Sequence, residues 1–240
     1  MYILALDSTA QVATVALCHD TDLLASFTLQ NGNKHSETLL PMIESILQQF
    51  HLSPHALQLL ACSSGPGSFT GVRIGVSTVK GLAFGTGIPC IGVSTLEALA
   101  YNLIGFEGIL CPVMNARRGQ VYNALFRASG GSMTRMTPDR AISLEELNQE
   151  ISAYPDAIWL SGDGYSLVRE KLRSPHLKET PVVLRAQSGY SVARIAYHQF
   201  LANPTADWRD ITLAPVYLRP CQAERERLER MDSSLPPVVN

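Results

Sequence analysis

The sequence predicts an α/β protein of two lobes, with mixed sheets that carry helices on their faces. Three observations lead there. Apolar runs of strand length come first in pairs and then alternate with segments of helical period. A strand followed by a polar turn and a second strand opens both halves, at residues 2–18 and again at 109–127, so the chain reads as weakly duplicated. Its 240 residues are 46% hydrophobic and 17% charged, enough apolar side chain for one large core or two smaller ones.

Taken in order, residues 2–6 form an apolar strand broken by Asp7-Ser8-Thr9-Ala10. Val12, Thr14, Ala16 and Cys18 alternate with Ala13, Val15 and Leu17, as a paired strand requires. Residues 23–29 are a further hairpin candidate, followed by a turn at Asn31-Gly32-Asn33. A helix is predicted over 35–50, with Ser36 suited to cap it. Its apolar stripe is Leu39, Leu40, Ile43, Leu47 and Phe50, widened by Ile46, with Met42 off its centre and Pro41 placed to bend it. Strand (57–62), helix (70–85), strand (89–93) and helix (94–103) follow. Glycines and an unpaired Phe106 interrupt the pattern over 104–108, which sets the lobe boundary there: 1–104 and 105–222. In the second lobe 109–114 and 121–127 are strands around a turn holding Arg117 and Arg118, a solvated pair. Residues 157–160 are a strand and 191–201 an amphipathic helix. Residues 224–230 alternate in sign, and Pro236-Pro237 marks 223–240 as a flexible tail.

The most informative stretch is Ser63-Ser64-Gly65-Pro66-Gly67-Ser68-Phe69-Thr70-Gly71-Val72-Arg73-Ile74-Gly75, a glycine-rich turn between strand and helix. Backbone N–H groups at such a place can cradle an anion. Two phosphate-binding patterns nevertheless fail. A P-loop needs a lysine after its second glycine, whereas the first lysine downstream is Lys80; a dinucleotide fingerprint needs a third glycine where Thr70 stands. The following helix has Val72, Val76, Val79 and Ala83 on one face and glycine at 71, 75, 81 and 85. Gly71 and Gly75 share a bare face that suits either close packing within the chain or a helix contact with a second subunit.

Other chemistry is bounded by what is missing. A formal charge of −2 is poor for gripping RNA unaided. No apolar run reaches about 18 residues and no basic region precedes the first one, so the chain is expected to be soluble and cytoplasmic. Five cysteines form no C-x-x-C pair and read as buried free thiols. His51 and His55 have metal-ligand spacing, but Pro54 between them breaks the helix that would align the rings. Ser68 lacks the flanking glycines of a nucleophile elbow.

Residues 63–81 closely resemble the bacterial TsaB family. So do Ile3-Leu4-Ala5-Leu6-Asp7-Ser8-Thr9, His35-Ser36-Glu37-Thr38-Leu39-Leu40-Pro41, Asn115-Ala116-Arg117-Arg118-Gly119-Gln120-Val121-Tyr122 and Pro215-Val216-Tyr217-Leu218-Arg219. The resemblance implies two ribonuclease-H-like lobes of the actin-like, sugar-kinase and Hsp70-like (ASKHA) fold group. It implies a non-catalytic partner of TsaD, the enzyme that places threonylcarbamoyl on the adenosine beside the anticodon of tRNAs reading codons that begin with adenine. A TsaD heterodimer, contact with the TsaE ATPase through that complex, a homodimer when alone and only indirect contact with tRNA are implied too, with no cofactor.

By the same resemblance, the helix over 35–50 and the glycine-bearing helix build the partner surface, through His35, Leu39, Met42, Gly71, Arg73, Gly75 and Thr78. Asp7, Ser8 and Thr9, and Gly162, Asp163 and Gly164, are candidate nucleotide or anion turns, because catalytic members of the fold group place metal and phosphate there. For Asp7 a turn that caps its own backbone is the competing reading, and for 161–164 a plain turn. TsaD carries a His-x-x-x-His metal motif; here Leu39 stands four residues after His35 and cannot bind metal. No metal site and no catalytic residue are therefore expected. Two readings of another class stand beside this one: a hydrolase or protease in which His35 and Glu37 serve Ser68, and a stand-alone nucleotide-binding kinase-like enzyme.

Overall fold

The computed structural model describes residues 1–219 apart from 31, 33 and 173. The first lobe is built from β1 (Tyr2–Asp7), β2 (Ala13–His19), β3 (Asp22–Leu29), α1 (His35–Gln49), β4 (Leu59–Gly65), α2 (Phe69–Ala83), β5 (Cys90–Ser94) and α3 (Thr95–Tyr101). Its sheet order is β3-β2-β1-β4-β5, with β1, β2 and β3 antiparallel and β4 and β5 parallel to β1. This is the ribonuclease-H-like arrangement. β2 and β3 are joined through Asp20, whose φ of +51° turns the chain, so the hairpin precedes residue 23 instead of following residue 29. Asn31 and Asn33 of the expected turn lie outside the described residues.

Both faces of this sheet are covered, which is why β1 reads as one apolar run. Leu4 and Leu6 point to a core shared with α1 and α2. Ile3 and Ala5 point to the other side, where Val192, Ala193, Ile195 and Ala196 of α6 (Gly189–Ala202) pack on them. The division at 104/105 therefore does not follow the packing: α6 lies within 105–222 but covers the first sheet.

The second lobe contains β6 (Gly108–Arg117), β7 (Gln120–Asn123), β8 (Phe126–Ser129), β9 (Ser132–Arg135), β10 (Arg140–Ser143), α4 (Leu144–Ser152), β11 (Ile158–Ser161), α5 (Tyr165–Lys171) and β12 (Leu177–Lys178). The path β10-β7-β6-β11-β12 forms the sheet, with β8 pairing β6 and β9 beside it. The strand expected over 121–127 is two strands, broken at Ala124-Leu125, because β7 pairs one stretch of β6 and β8 another. Ile109, Cys111 and Val113 meet α4 and α5, while Leu110 and Met114 meet Leu96, Leu99 and Ala100 of α3. α3 is thus the layer between the lobes. Asn102 at its end ties it to α6: its Nδ2 donates to Leu184 O (3.2 Å) and Ala186 O (2.7 Å), and its Oδ1 accepts from Ser191 Oγ (2.6 Å).

Helix ends follow local chemistry. Ser68, Ser94, Ser143 and Ser188 each accept from a backbone N–H in the first turn of α2, α3, α4 and α6. α1 differs from expectation: it begins at His35 after Lys34, which makes no side-chain cap, and Ser36 lies inside it. Pro41 sits within α1 and the helix continues through it. The face of α1 that is buried is Leu39, Met42, Ile43, Ile46 and Leu47, so Met42 belongs to the core, whereas Leu40 is 48% exposed. Cys18, Cys62, Cys90 and Cys111 are buried free thiols, and burial raises each of them, Cys18 and Cys90 to about 11. Residues 220–240, including Cys221 and the expected tail, lie outside the described residues. No helix among those described is long and apolar enough to cross a membrane.

Candidate functional site: a helical groove beside the interlobe cleft

The glycine-rich turn is shaped by close contact inside the chain. A Cβ on Gly67 would lie 2.6 Å from Thr9 O, and one on Gly71 would lie 2.0 Å from Ser8 O. A Cβ on Gly75 would lie 2.7 Å from Ser8 Oγ, which itself donates to Gly71 O at 2.8 Å. The bare face of Gly71 and Gly75 is therefore spent on the turn after β1. Those two residues do not face a partner, which corrects the interface reading for both. Met42, in the core under α1, is withdrawn from it for the same reason.

The turn at residues 7–10 is equally enclosed. Asp7, Ser8 and Thr9 are all buried. Asp7 accepts from Ser63 Oγ (2.5 Å), Thr9 N (2.8 Å) and Thr9 Oγ1 (2.7 Å), so its carboxylate caps its own backbone and the neighbouring strand. Burial outweighs those hydrogen bonds and holds its pKa above the ordinary carboxylate value. In the second lobe, the amides of Gly162 and Gly164 donate to Arg185 O (2.6 Å) and Val113 O (3.1 Å). Neither is left for phosphate. Asp163 accepts from Asn115 N at 3.1 Å, and burial raises its pKa too.

Two concavities flank the glycine-rich turn. One is the interlobe cleft, about 650 Å³, bordered by Thr9, Ser68, Arg117, Asp163, Tyr217 and Arg219 among others. A strap formed by residues 213–219 runs along it. Val216 N donates to Ser64 O (2.7 Å), and Val216 O lies where a Cβ on Gly65 would be, 2.3 Å away. Lys80 Nζ donates to Leu213 O (3.1 Å) in the first lobe, and Arg219 Nη1 donates to Ala116 O (3.0 Å) in the second. In the turn itself Ser68 N donates to Thr9 O (2.7 Å) and Gly71 N to Ser68 Oγ (3.3 Å), so the chain's own acceptors take these two amides. Arg117 and Arg118, both with φ in the left-handed region, close the β6–β7 turn beside the strap.

The other concavity is a groove of about 450 Å³ between α1 and α2. His35, Arg73 and Thr78 of the expected partner surface line it, joined by Leu40 and Ile74. Leu39 lies beneath it as a core residue, 1% exposed, and is withdrawn from the exposed surface like Met42. Sequence periodicity placed Leu40 in the buried stripe and passed over Ile74. An apolar residue off the buried face of α2 was the signal available. His35 Nε2 donates to Ala10 O at 2.6 Å, fixing the start of α1 against the turn after β1. Glu37 pairs with Lys34, and Ser68 Oγ accepts from Gly71 N. His35 and Glu37 thus do not serve Ser68, and the hydrolase arrangement is not formed. His51 closes α1 with φ +52° and His55 lies in a 3₁₀ turn at residues 54–56. Among the described residues no three His, Cys, Asp or Glu side chains come together as a metal site would require.

These features define a class: a two-lobed α/β protein of the ASKHA fold whose glycine-rich turn packs on its own chain and whose α1 and α2 leave an apolar groove open. Comparison with known proteins narrows the class. Residues 25–192 match the family model described as "TsaD: tRNA N6-adenosine threonylcarbamoyltransferase". The chain is 30% identical over 229 residues to the tRNA threonylcarbamoyladenosine biosynthesis protein TsaB of Bacillus subtilis, covering 95% of this chain and 99% of that protein. It is 34% identical to the TsaB of Escherichia coli over 69% of this chain and 72% of that one. The crystal structure of an uncharacterized Pseudomonas aeruginosa protein with similarity to peptidase YeaZ superposes with a TM-score of 0.75 at 26% identity, over 91% of this chain and 99% of that one. YeaZ from the same organism gives 0.72 at 25%, over 90% and 99%. The chain belongs to the TsaB family.

Proposed function

We propose that this protein takes part in making threonylcarbamoyladenosine in tRNA, as the non-catalytic partner that holds TsaD in a competent arrangement. End-to-end relatedness to proteins named for that biosynthesis carries the reading, since 99% of the B. subtilis relative is covered. The geometry supports the passive role. The Asp7 carboxylate is committed to Ser63 and Thr9, and the turn amides at 162 and 164 are committed to backbone carbonyls. The position that would carry a second metal histidine is Leu39, a core residue. What stays open to a partner is the α1–α2 groove, apolar in its floor and large enough to seat side chains of a second helix.

In this reading TsaD covers the groove and its conformational population shifts on doing so. TsaE joins through the complex, a second copy of the chain takes the groove when TsaD is absent, and tRNA is met mainly by the other subunits. The site of action is the cytoplasm. The test is mass spectrometry of tRNA nucleosides from cells depleted of this protein. The modified adenosine is expected to fall in tRNAs that read codons beginning with adenine; unchanged levels after verified depletion would refute the assignment.

A further inference from the structure

We propose that Arg73 is a specificity residue of the α1–α2 groove, clamped in place by Phe69 and Tyr217 so that it reads a carboxylate on the partner subunit. The inference rests on the TsaD reading above. Its guanidinium carbon lies 3.8 Å from the centre of the Phe69 ring, and its Nε donates to the Tyr217 hydroxyl at 2.8 Å. The Phe69 and Tyr217 rings are themselves 4.9 Å apart, centre to centre. One face and one nitrogen of the guanidinium are thus committed inside the chain. The Nη fork is not: among the described residues no carboxylate pairs with it.

An exposed arginine ordinarily samples many rotamers, and ordering it on binding costs affinity. Here the stack and the hydrogen bond order it beforehand. The fork lies on the wall of a groove whose other lining side chains carry no carboxylate and whose accessible apolar side chains include Leu40 and Ile74. A fixed, uncompensated cation beside an apolar floor is complementary to an apolar helix face bearing one Asp or Glu, bidentate on the fork. It is a poor fit to a wholly apolar helix, which would desolvate the charge without pairing it. Phe69 and Thr70 border both the groove and the interlobe cleft, and Tyr217 belongs to the strap. Besides covering the glycine-rich turn, the C-terminal strap therefore positions the residue that reads the partner. Tyr217 is a positioning residue, and Arg73 the one that touches TsaD.

The experiment is calorimetric titration of full-length TsaD with this chain at low and at moderate salt. Arg73→Gln should weaken binding about tenfold to a hundredfold and flatten the salt dependence. Arg73→Lys, which keeps the charge and loses the fork, should fall between. Tyr217→Phe, which keeps the ring stack, should weaken binding a few-fold with no change in melting temperature. A wild-type chain that binds TsaD with Arg73→Gln equal to it or tighter overturns this inference and leaves the proposed function standing. A loss confined to self-association, with TsaD binding intact, overturns it as well. If the wild-type chain does not bind TsaD at all, both fall together.

Discussion

Gly71→Ala should cost far more than its size suggests, and Gly81→Ala on the same helix should gain. A Cβ at position 71 would sit 2.0 Å from Ser8 O and 3.2 Å from Ser8 C, against an ordinary contact of about 3.5 Å. The turn after β1 would have to retreat by roughly 1.5 Å, and overpacking of that kind costs about 1–3 kcal/mol. Retreat also breaks the 2.8 Å bond from Ser8 Oγ to Gly71 O, worth about 1 kcal/mol, and a helical alanine returns about 1 kcal/mol. The net loss is about 1–3 kcal/mol, which for a chain this long lowers the melting temperature by about 2–12 °C. At Gly81 nothing lies within 4 Å of the added methyl group and the site is exposed, so only the helical gain applies, about 0.5–1 kcal/mol and roughly 1–4 °C. Thermal melts followed by far-ultraviolet circular dichroism measure both. A Gly71→Ala variant that melts at or above wild type would refute the packing argument. If it also lost TsaD binding, the glycine face would be an interface after all.

Three further outcomes follow from side chains away from that helix. Burial holds the Asp7 carboxyl above its ordinary 3.8, so the folded protein keeps this proton to higher pH than the unfolded chain does. Stability therefore declines as pH rises from 3.8 through the folded value, and Asp7→Asn should remove that slope; parallel melting-temperature curves against pH would contradict it. Asp139→Ala should lower stability by about 1–2 kcal/mol in chemical denaturation. It deletes the acceptor for Ser94 Oγ (2.5 Å), a bond that ties the lobes, and for Arg135 Nη1 (2.6 Å), a bond within the second lobe that holds Arg135 where it meets Glu97 of α3. Ser143→Ala should cost about 1 kcal/mol, since Ser143 and Glu146 form a reciprocal cap at the start of α4; a Glu146→Gln variant that keeps the geometry should cost less.

Much of the molecule was legible one segment at a time. Runs such as 2–6, and 59–62 of the expected 57–62, fell in strands because both sheet faces are covered and demand apolar side chains throughout. The stripe Val72, Val76, Val79 and Ala83 is the buried face of α2, and Ser94 caps the helix predicted to begin there. The family blocks at 35–41, 63–81 and 215–219 likewise marked the segments that build the groove and the strap, though not how they meet.

What local pattern left open was always a question of against what. Periodicity shows that Gly71 and Gly75 share a face, but only the approach of Ser8, more than 60 residues away in the chain, turns that face inward. The same holds for α6, whose amphipathic pattern says that it packs and not that it returns to the first sheet. Arg73 enters the sequence reading only through the family resemblance, as one residue of the partner surface, with nothing to say what holds it. Tyr217, 144 residues further on, fixes it, because a hydrogen bond and a ring stack act over ångströms of space, whatever length of chain lies between. The sequence by itself determined which apolar runs become strands and which stripe of α2 is buried, since those depend on neighbours within a few positions. It did not determine the buried face of α1, where Leu40 is exposed and Met42 is core, or the existence of α4 and α5. Which buried surfaces meet, and which groove is left for a partner, was decided only by the tertiary structure.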